Sequence, residues 1–190
     1  MYNIIALMGE AGSGKDRTLQ AILAAAPSAH EIISCTTRPI RDGETHGVNY
    51  YYYTPEEFEK KITNEEMIEY TIFNNWYYGT GYESLVKNSV NIGVFNPDGV
   101  RSLLARSDCT VLIFKINAND KTRLLRQLNR EKNPDVREVI RRFQADYKDF
   151  DNLDKEIFYR NLNNETEEDL RQNVETIVGW IERANIQGQK

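Results

Sequence analysis

Gly9-Glu10-Ala11-Gly12-Ser13-Gly14-Lys15-Asp16 is the stretch in which residue type and spacing together demand a chemistry. An apolar run, Ile4-Ile5-Ala6-Leu7-Met8, precedes it, and a helix-like run from 19 to 26 comes after it. Strand, glycine-rich loop and helix are the context of a phosphate-binding loop. Glycines let the backbone wrap with its N–H groups turned inward, and the helix N-terminus adds partial positive charge. Lys15 then reaches the β- and γ-phosphates of a nucleoside triphosphate. An ordinary glycine-rich turn is the plain alternative, and the strand-to-helix frame argues against it. Asp16 stands where such loops usually carry Ser or Thr. A carboxylate is a hard oxygen ligand suited to Mg²⁺, and negative charge is favoured in a first helical turn. The competing role for Asp16 is a helix cap.

Composition narrows the class. The chain has 190 residues, enough for one full core with a small inserted lobe. Its net charge of -5 gives no global basic field to draw it to nucleic acid. No apolar run is long enough to cross a membrane and no signal peptide opens the sequence, so a cytoplasmic protein is expected. Cys35 and Cys109 are far apart and fit no metal spacing, which suits reduced core thiols. His30 and His46 suggest no metal cluster.

The elements that must hold the loop alternate. Strands are expected at 2–8, 31–35, 91–96, 109–116 and, more weakly, 157–159. Helices fit 15–26, 97–106, 120–129, 135–147 and 165–184. The last helix has Leu170, Val174, Ile177, Val178 and Ile181 on one face. The alternation predicts an α/β fold: a parallel core sheet with helices on both faces. Residues 36–90 differ. Tyr50-Tyr51-Tyr52-Tyr53 reads as a strand and 55–62 as a short helix. Strands at 67–73 and 76–78 would be joined by the turn Asn74-Asn75. The division expected is therefore a core from 1–35 and 91–190, with 36–90 as an inserted mixed α+β lobe for a second substrate.

Several side chains fit a phosphorylated acceptor. Arg38 and Arg41 present planar forks suited to phosphate oxygens. Tyr50 and Tyr78 add hydroxyl donors on rigid arms. Surface arginines and packed tyrosines are the plain alternative. Glu69 only accepts hydrogen bonds, and guanine offers two adjacent donors, N1–H and N2–H, where adenine offers no such pair. Arg126 and Arg130 share one helical face, as do Arg137 and Arg141, with Arg142 adjacent. Phosphoryl transfer needs positive charge around the moving group, and a closing arm can supply it.

Ser34-Cys35-Thr36-Thr37-Arg38-Pro39, then Arg41, Gly43-Glu44, Gly47 and Tyr50, resembles the guanylate kinase family. Ile68-Glu69 and Tyr77-Tyr78-Gly79-Thr80 resemble it too, and the similarity runs from about Ile4 to the final helix. The resemblance implies a three-layer α/β/α P-loop kinase with a helical lid at about 129–142. It implies phosphoryl transfer from ATP, with Mg²⁺, to GMP and also dGMP, in a monomer or homodimer without nucleic acid or membrane partners. By the same resemblance Arg38, Arg41, Tyr50 and Tyr78 hold the monophosphate, and Glu69 and Thr80 read guanine, with Ser34 and Asn96 facing the same pocket. Lys15, Arg126, Arg130 and Arg142 match the catalytic cations.

Besides Asp16, the pattern departs from the family at the end of the third main strand. Val94 and Asn96 stand where the family usually has an Asp-x-Asp pair. Gly14-Lys15-Asp16, Asn96, and the tail Leu162-Asn163-Asn164 with Leu170-Arg171-Gln172 resemble ribose 1,5-bisphosphate phosphokinase instead. A third reading is a non-catalytic guanylate-kinase-like binding module, against which Lys15 and the lid arginines stand.

Overall fold

The computed structural model describes the whole chain except residues 42, 74, 131, 152, 154–156, 158–159 and 188–190. Five strands form the core sheet: β1 (Tyr2–Met8), β2 (His30–Glu31), β7 (Val90–Val94), β8 (Cys109–Asn117) and β9 (Arg160–Asn163). Their order is β2-β7-β1-β8-β9 and every pairing is parallel. A parallel sheet is covered on both faces, and its central strand β1 is accordingly apolar from Ile4 to Met8. In β1, Ile5 and Leu7 face one core, and Ile4, Ala6 and Met8 the other. The first core is closed by Leu19 and Ile22 of α1 (Lys15–Ala25) and by Ile177 and Ile181 of α6 (Glu167–Gln187). The second is closed by Val100 and Leu103 of α3 (Pro97–Leu104).

A second sheet has the order β4-β3-β6-β5, from β3 (Cys35–Thr36), β4 (Tyr51–Tyr52), β5 (Met67–Phe73) and β6 (Trp76–Gly81). Its small core is Cys35, Phe58 and Met67, with Phe58 supplied by α2 (Pro55–Thr63). That helix starts on a reciprocal cap: Thr54 Oγ1 accepts from Glu57 N–H, and Glu57 Oε2 accepts from Thr54 N–H at 2.8 Å. Pro55 fills the first turn, where no N–H is needed.

Two local expectations are corrected. The strand expected at 31–35 is two strands: Glu31 ends β2 in the core sheet, and Cys35 begins β3 in the other sheet. Of the four tyrosines, only Tyr51 and Tyr52 pair as a strand. The last described core strand is Arg160–Asn163; of the strand expected at 157–159, Phe158 and Tyr159 lie outside the described residues, as does Asn74 of the expected turn. Among the described residues, no helix is long and apolar enough to cross a membrane.

The carboxyl ends of the parallel strands bring four loops to one edge of the core sheet. The glycine-rich loop leaves β1, Asn96 leaves β7, Asn119 leaves β8 and Asn164 leaves β9. In open α/β sheets, ligands bind at this edge.

Candidate active site

The loop between β1 and α1 is shaped by backbone and by polar side chains from three other elements. Gly12 (φ 82°) and Gly14 (φ 92°) adopt left-handed conformations that strain any other residue. A Cβ on Gly12 would also lie 2.5 Å from the carbonyl oxygen of Arg123, in α4 (Asp120–Leu128). Gly14 is the N-cap of α1, so Asp16 is not the cap. Asp16 is 81% exposed in the first turn, and its Oδ2 is 3.8 Å from Lys15 Nζ. The hydroxyl of Ser13 is buried and has no hydrogen-bond partner among the described residues. An unpartnered donor inside a glycine-rich turn is what a phosphate oxygen would satisfy.

The carbonyls of Gly12 and Ser13 are held by side chains from outside the loop. Arg126 Nη1 donates to Gly12 O (3.3 Å) and Ser13 O (3.2 Å), and Asn164 Nδ2 donates to Ser13 O (2.8 Å). Arg126 Nη2 donates to Glu165 O. Arg126 is therefore bound to the carbonyl side of the loop, while Arg130, expected on the same helical face, lies beyond the end of α4 at Leu128 and is exposed. Glu10 is tied down by Lys115 of β8 at 3.3 Å.

The second sheet holds the acceptor candidates. Glu69 and Thr80 face each other across β5 and β6. Glu69 is 8% exposed, and Thr80 Oγ1 donates to its Oε1 at 2.7 Å. Burial pushes the Glu69 carboxyl up to about 7, against the pull of that hydrogen bond. A Cβ on Gly99 would lie 3.0 Å from Glu69 Oε2 and 3.1 Å from Asn96 Oδ1, so both oxygens reach one point at the start of α3. Asn96 caps α3, its Oδ1 accepting from Gly99 N–H at 2.7 Å.

Arg38 is 5% exposed. Its Nη2 donates to Glu44 Oε1 (2.8 Å) and its Nη1 to Pro39 O (2.8 Å). The guanidinium lies 5.6 Å from the Tyr50 ring and 5.7 Å from the Tyr52 ring. Tyr50 meets Tyr78 edge-on at 6.3 Å. Glu44 closes the cluster: it accepts from Tyr52 OH and from Arg41 N–H, and the Arg38 guanidinium holds its carboxyl down to about 2. Ser34 joins through its backbone, its carbonyl accepting from Tyr51 N–H.

A cavity of about 310 Å³ opens between this lobe and the lid candidate. Arg41 and Glu44 line one side; Arg130, Glu138 and Arg142 line the other. Glu138 and Arg142 belong to α5 (Val136–Asp151), where Glu138 accepts from both Arg141 and Arg142.

The sequence profile of the guanylate kinase family matches residues 1–180. A guanylate kinase of Sulfurimonas denitrificans is 32% identical over 144 residues, 73% of this chain and 69% of the relative. The chain belongs to the guanylate kinase family. A Synechococcus elongatus guanylate kinase is 40% identical over 90 residues, 47% of this chain and 49% of that relative. The crystal structure of the Anaplasma phagocytophilum guanylate kinase superposes with a TM-score of 0.67 at 19% identity, covering 97% of this chain and 86% of that one. That likeness carries the fold, which is the P-loop kinase α/β fold expected.

Against the family background, the sequence reading misses three residues. Asn164, Arg123 and Asp146 all touch the phosphate loop. Arg123 Nε donates to Ala11 O, and Ala11 N–H donates to Asp146 Oδ2. Only the spacing of Arg123 three before Arg126 hints that α4 turns two arginines one way. Asp146 carries no local signal.

Proposed function

We propose that the chain transfers the γ-phosphoryl group of ATP to the phosphate of GMP, and also of dGMP, giving GDP or dGDP and ADP. The observation that carries this is the buried Glu69–Thr80 pair at 2.7 Å beside Asn96. A carboxylate accepts from guanine N1–H and N2–H, and a hydroxyl can donate to the guanine carbonyl. No such pairing suits adenine or a bare sugar phosphate.

In this reading the loop from Gly9 to Asp16, with Glu10, Ala11, Gly12, Ser13 and Gly14, wraps the ATP phosphates, and Lys15 neutralises the β- and γ-oxygens. Asp16 fits Mg²⁺: the ion is usually bound by one or two carboxylates together with substrate phosphates, and this carboxylate is exposed at the loop's exit. Bound there, Mg²⁺ would offset charge on the phosphates. Arg38, Arg41, Tyr50 and Tyr78 hold the acceptor phosphate in the lobe of residues 36–90. Arg130 and Arg142, on a lid of about 129–142, face Arg41 across the cavity and neutralise the group in transfer. Arg126 acts differently, by fixing the loop carbonyls so that the N–H groups turn inward. An acceptor phosphate oxygen attacks the γ-phosphorus in line, ADP leaves, and the enzyme forms no covalent intermediate.

The test is ADP release with GMP, dGMP, AMP and ribose 1,5-bisphosphate as acceptors. GMP and dGMP should give the largest kcat/KM, with AMP at least ~1000-fold lower, because a site built to pair two donors rejects analogues that lack them. Turnover with ribose 1,5-bisphosphate alone would overturn the proposal.

A further inference from the structure

Ala11 is gripped at both ends of its backbone. Its N–H donates to Asp146 Oδ2 at 2.8 Å. Its carbonyl accepts from Arg123 Nε at 3.1 Å and from Gln127 Nε2 at 3.3 Å. The two charged side chains also join each other: Arg123 Nη2 donates to Asp146 Oδ2 at 2.7 Å. Arg123 is almost wholly buried, its third donor is taken by Asp120 Oδ1, and Phe143 stacks on it at 4.4 Å. One residue of the phosphate loop is thus bound to α4 and α5 at once.

The position of Asp146 on α5 gives this contact a consequence. Glu138, Arg142 and Asp146 are spaced four apart, so they lie on one helical face. Glu138 and Arg142 line the cavity shared with Arg41 and Arg130. The same face therefore reaches the acceptor cavity at one end and the phosphate loop at the other. Turning α5 enough to withdraw Arg142 would break the Ala11 contact.

We infer that Asp146 and Arg123 are positioning residues, a latch that fixes the phosphate loop at Ala11 to the helix carrying Arg142. Neither is assigned to touch substrate. The latch sets the ATP site and the lid cation in register before either substrate binds. Burial pushes the Asp146 carboxyl up, while Ala11 N–H and Arg123 pull it down, and Lys15 and Glu10 act on it from the loop with opposite signs. A buried carboxyl so placed depends on its partners, and losing one of them leaves the other unpaired. The inference rests on the proposed kinase reading.

The test uses the full chain with Asp146→Asn, Asp146→Ala, Arg123→Gln and the double variant Arg123→Gln/Asp146→Asn. ATP affinity is measured by calorimetry without acceptor, alongside kcat, the GMP KM and the thermal midpoint. Misplacing a positioned group by about an ångström costs up to ~100-fold, so Asp146→Ala should lose about tenfold or more in kcat and several-fold in ATP affinity. The GMP KM should stay within about twofold, a split that mere loss of stability does not produce. Asp146→Asn keeps an acceptor for Ala11 N–H and should recover part of the ATP affinity. The double variant should be no worse than the poorer single, since residues in one network are not additive. Unchanged ATP affinity and kcat in folded Asp146→Asn would overturn the latch. So would tighter ATP binding, which would make Asp146 a competing anion. Should Asp146→Ala not fold, Asp146→Asn and Arg123→Gln decide. A wild type that binds ATP and ignores GMP would sink the kinase reading and leave the ATP-affinity test standing.

Discussion

Thr80 Oγ1 donates a 2.7 Å hydrogen bond to Glu69 Oε1 across two antiparallel strands, inside a lobe where that carboxyl is almost sealed from water. Burial raises the Glu69 carboxyl from the ordinary 4.5 to about 7, so near neutrality the empty site holds a mixture of acid and carboxylate. Reading guanine requires the carboxylate. Apparent GMP affinity should therefore fall as pH drops below 7, approaching tenfold per pH unit. Binding should release protons at pH 7 and none at pH 9, which calorimetry in buffers of different ionisation enthalpy reads directly. The sign for stability is opposite to a salt-bridged acid. Between 4.5 and 7 the folded state binds more protons than the unfolded, so stability falls as pH rises through that window. Glu69→Gln should raise the thermal midpoint at pH 8 and leave it unchanged at pH 4. A flat GMP affinity between pH 6 and 8 would show that Glu69 does not read the base.

Lys15 Nζ lies 3.8 Å from the exposed carboxylate of Asp16, its nearest acidic group among the described residues. A pair so loose, with its carboxylate open to water, leaves the charge for a ligand rather than for the fold. Lys15→Ala should change stability by no more than about 0.5 kcal/mol and lower kcat by at least ~100-fold, the loss expected of an essential charge stabiliser. Turnover kept within a few-fold would remove the loop from the chemistry.

Arg38 is buried against Glu44 and, in the proposed reading, also holds the acceptor phosphate, so the conservative variant is the informative one. Arg38→Lys keeps a positive charge for Glu44 and loses the planar fork. A hydrogen bond to a charged group contributes about 1.5–3 kcal/mol, and about 1.4 kcal/mol is tenfold. The GMP KM should rise at least ~10-fold on that basis while ATP affinity stays within about twofold. Glu44, held down to about 2, adds stability above pH 4.5 that is lost as pH falls toward 2. Glu44→Gln should abolish that part of acid sensitivity, seen as a flatter dependence of the thermal midpoint between pH 5 and 3.

What is legible in the sequence is what is local. The phosphate loop announces itself because glycines, lysine, strand and helix are contiguous. The strand Met67–Phe73 is read at its observed bounds. The break between β2 and β3 is hidden because Ile32 and Ile33 continue the apolar run across the point where the chain changes sheets. Sheet membership is a pairing property and leaves no local trace. β9 escapes at its true place because only Leu162 of its four residues is buried, so an edge strand shows no periodicity. Helical spacing puts Arg126 and Arg130 on one face, yet it cannot show that α4 packs against Gly12 and gives Arg126 to the loop carbonyls. The contact of Asp146 with Ala11 spans 135 residues, beyond any local pattern.

Asn96 stands beside Glu69 at the start of α3, and the geometry makes its substitution decisive. Its Oδ1 caps α3 through Gly99 N–H, and aspartate caps a helix as well as asparagine. Asn96→Asp should therefore keep α3 intact, with an unchanged far-ultraviolet circular dichroism spectrum. The new carboxylate would stand close to Glu69, since Oε2 of one and Oδ1 of the other reach within 3.0 and 3.1 Å of the same point over Gly99. Two like charges so placed push the Glu69 carboxyl higher still. Below neutrality Asn96→Asp should weaken GMP, because Glu69 is protonated over more of the range. At pH 9 both groups are ionised and guanine's amino group gains a second charged acceptor. There, GMP should bind a few-fold up to ~10-fold tighter than to wild type, the difference between a charged and a neutral hydrogen bond. The two curves of GMP affinity against pH should cross between pH 6 and 9. Parallel curves would mean that Asn96 faces no base, and a loss at every pH would mean that the acceptor lacks the guanine donors.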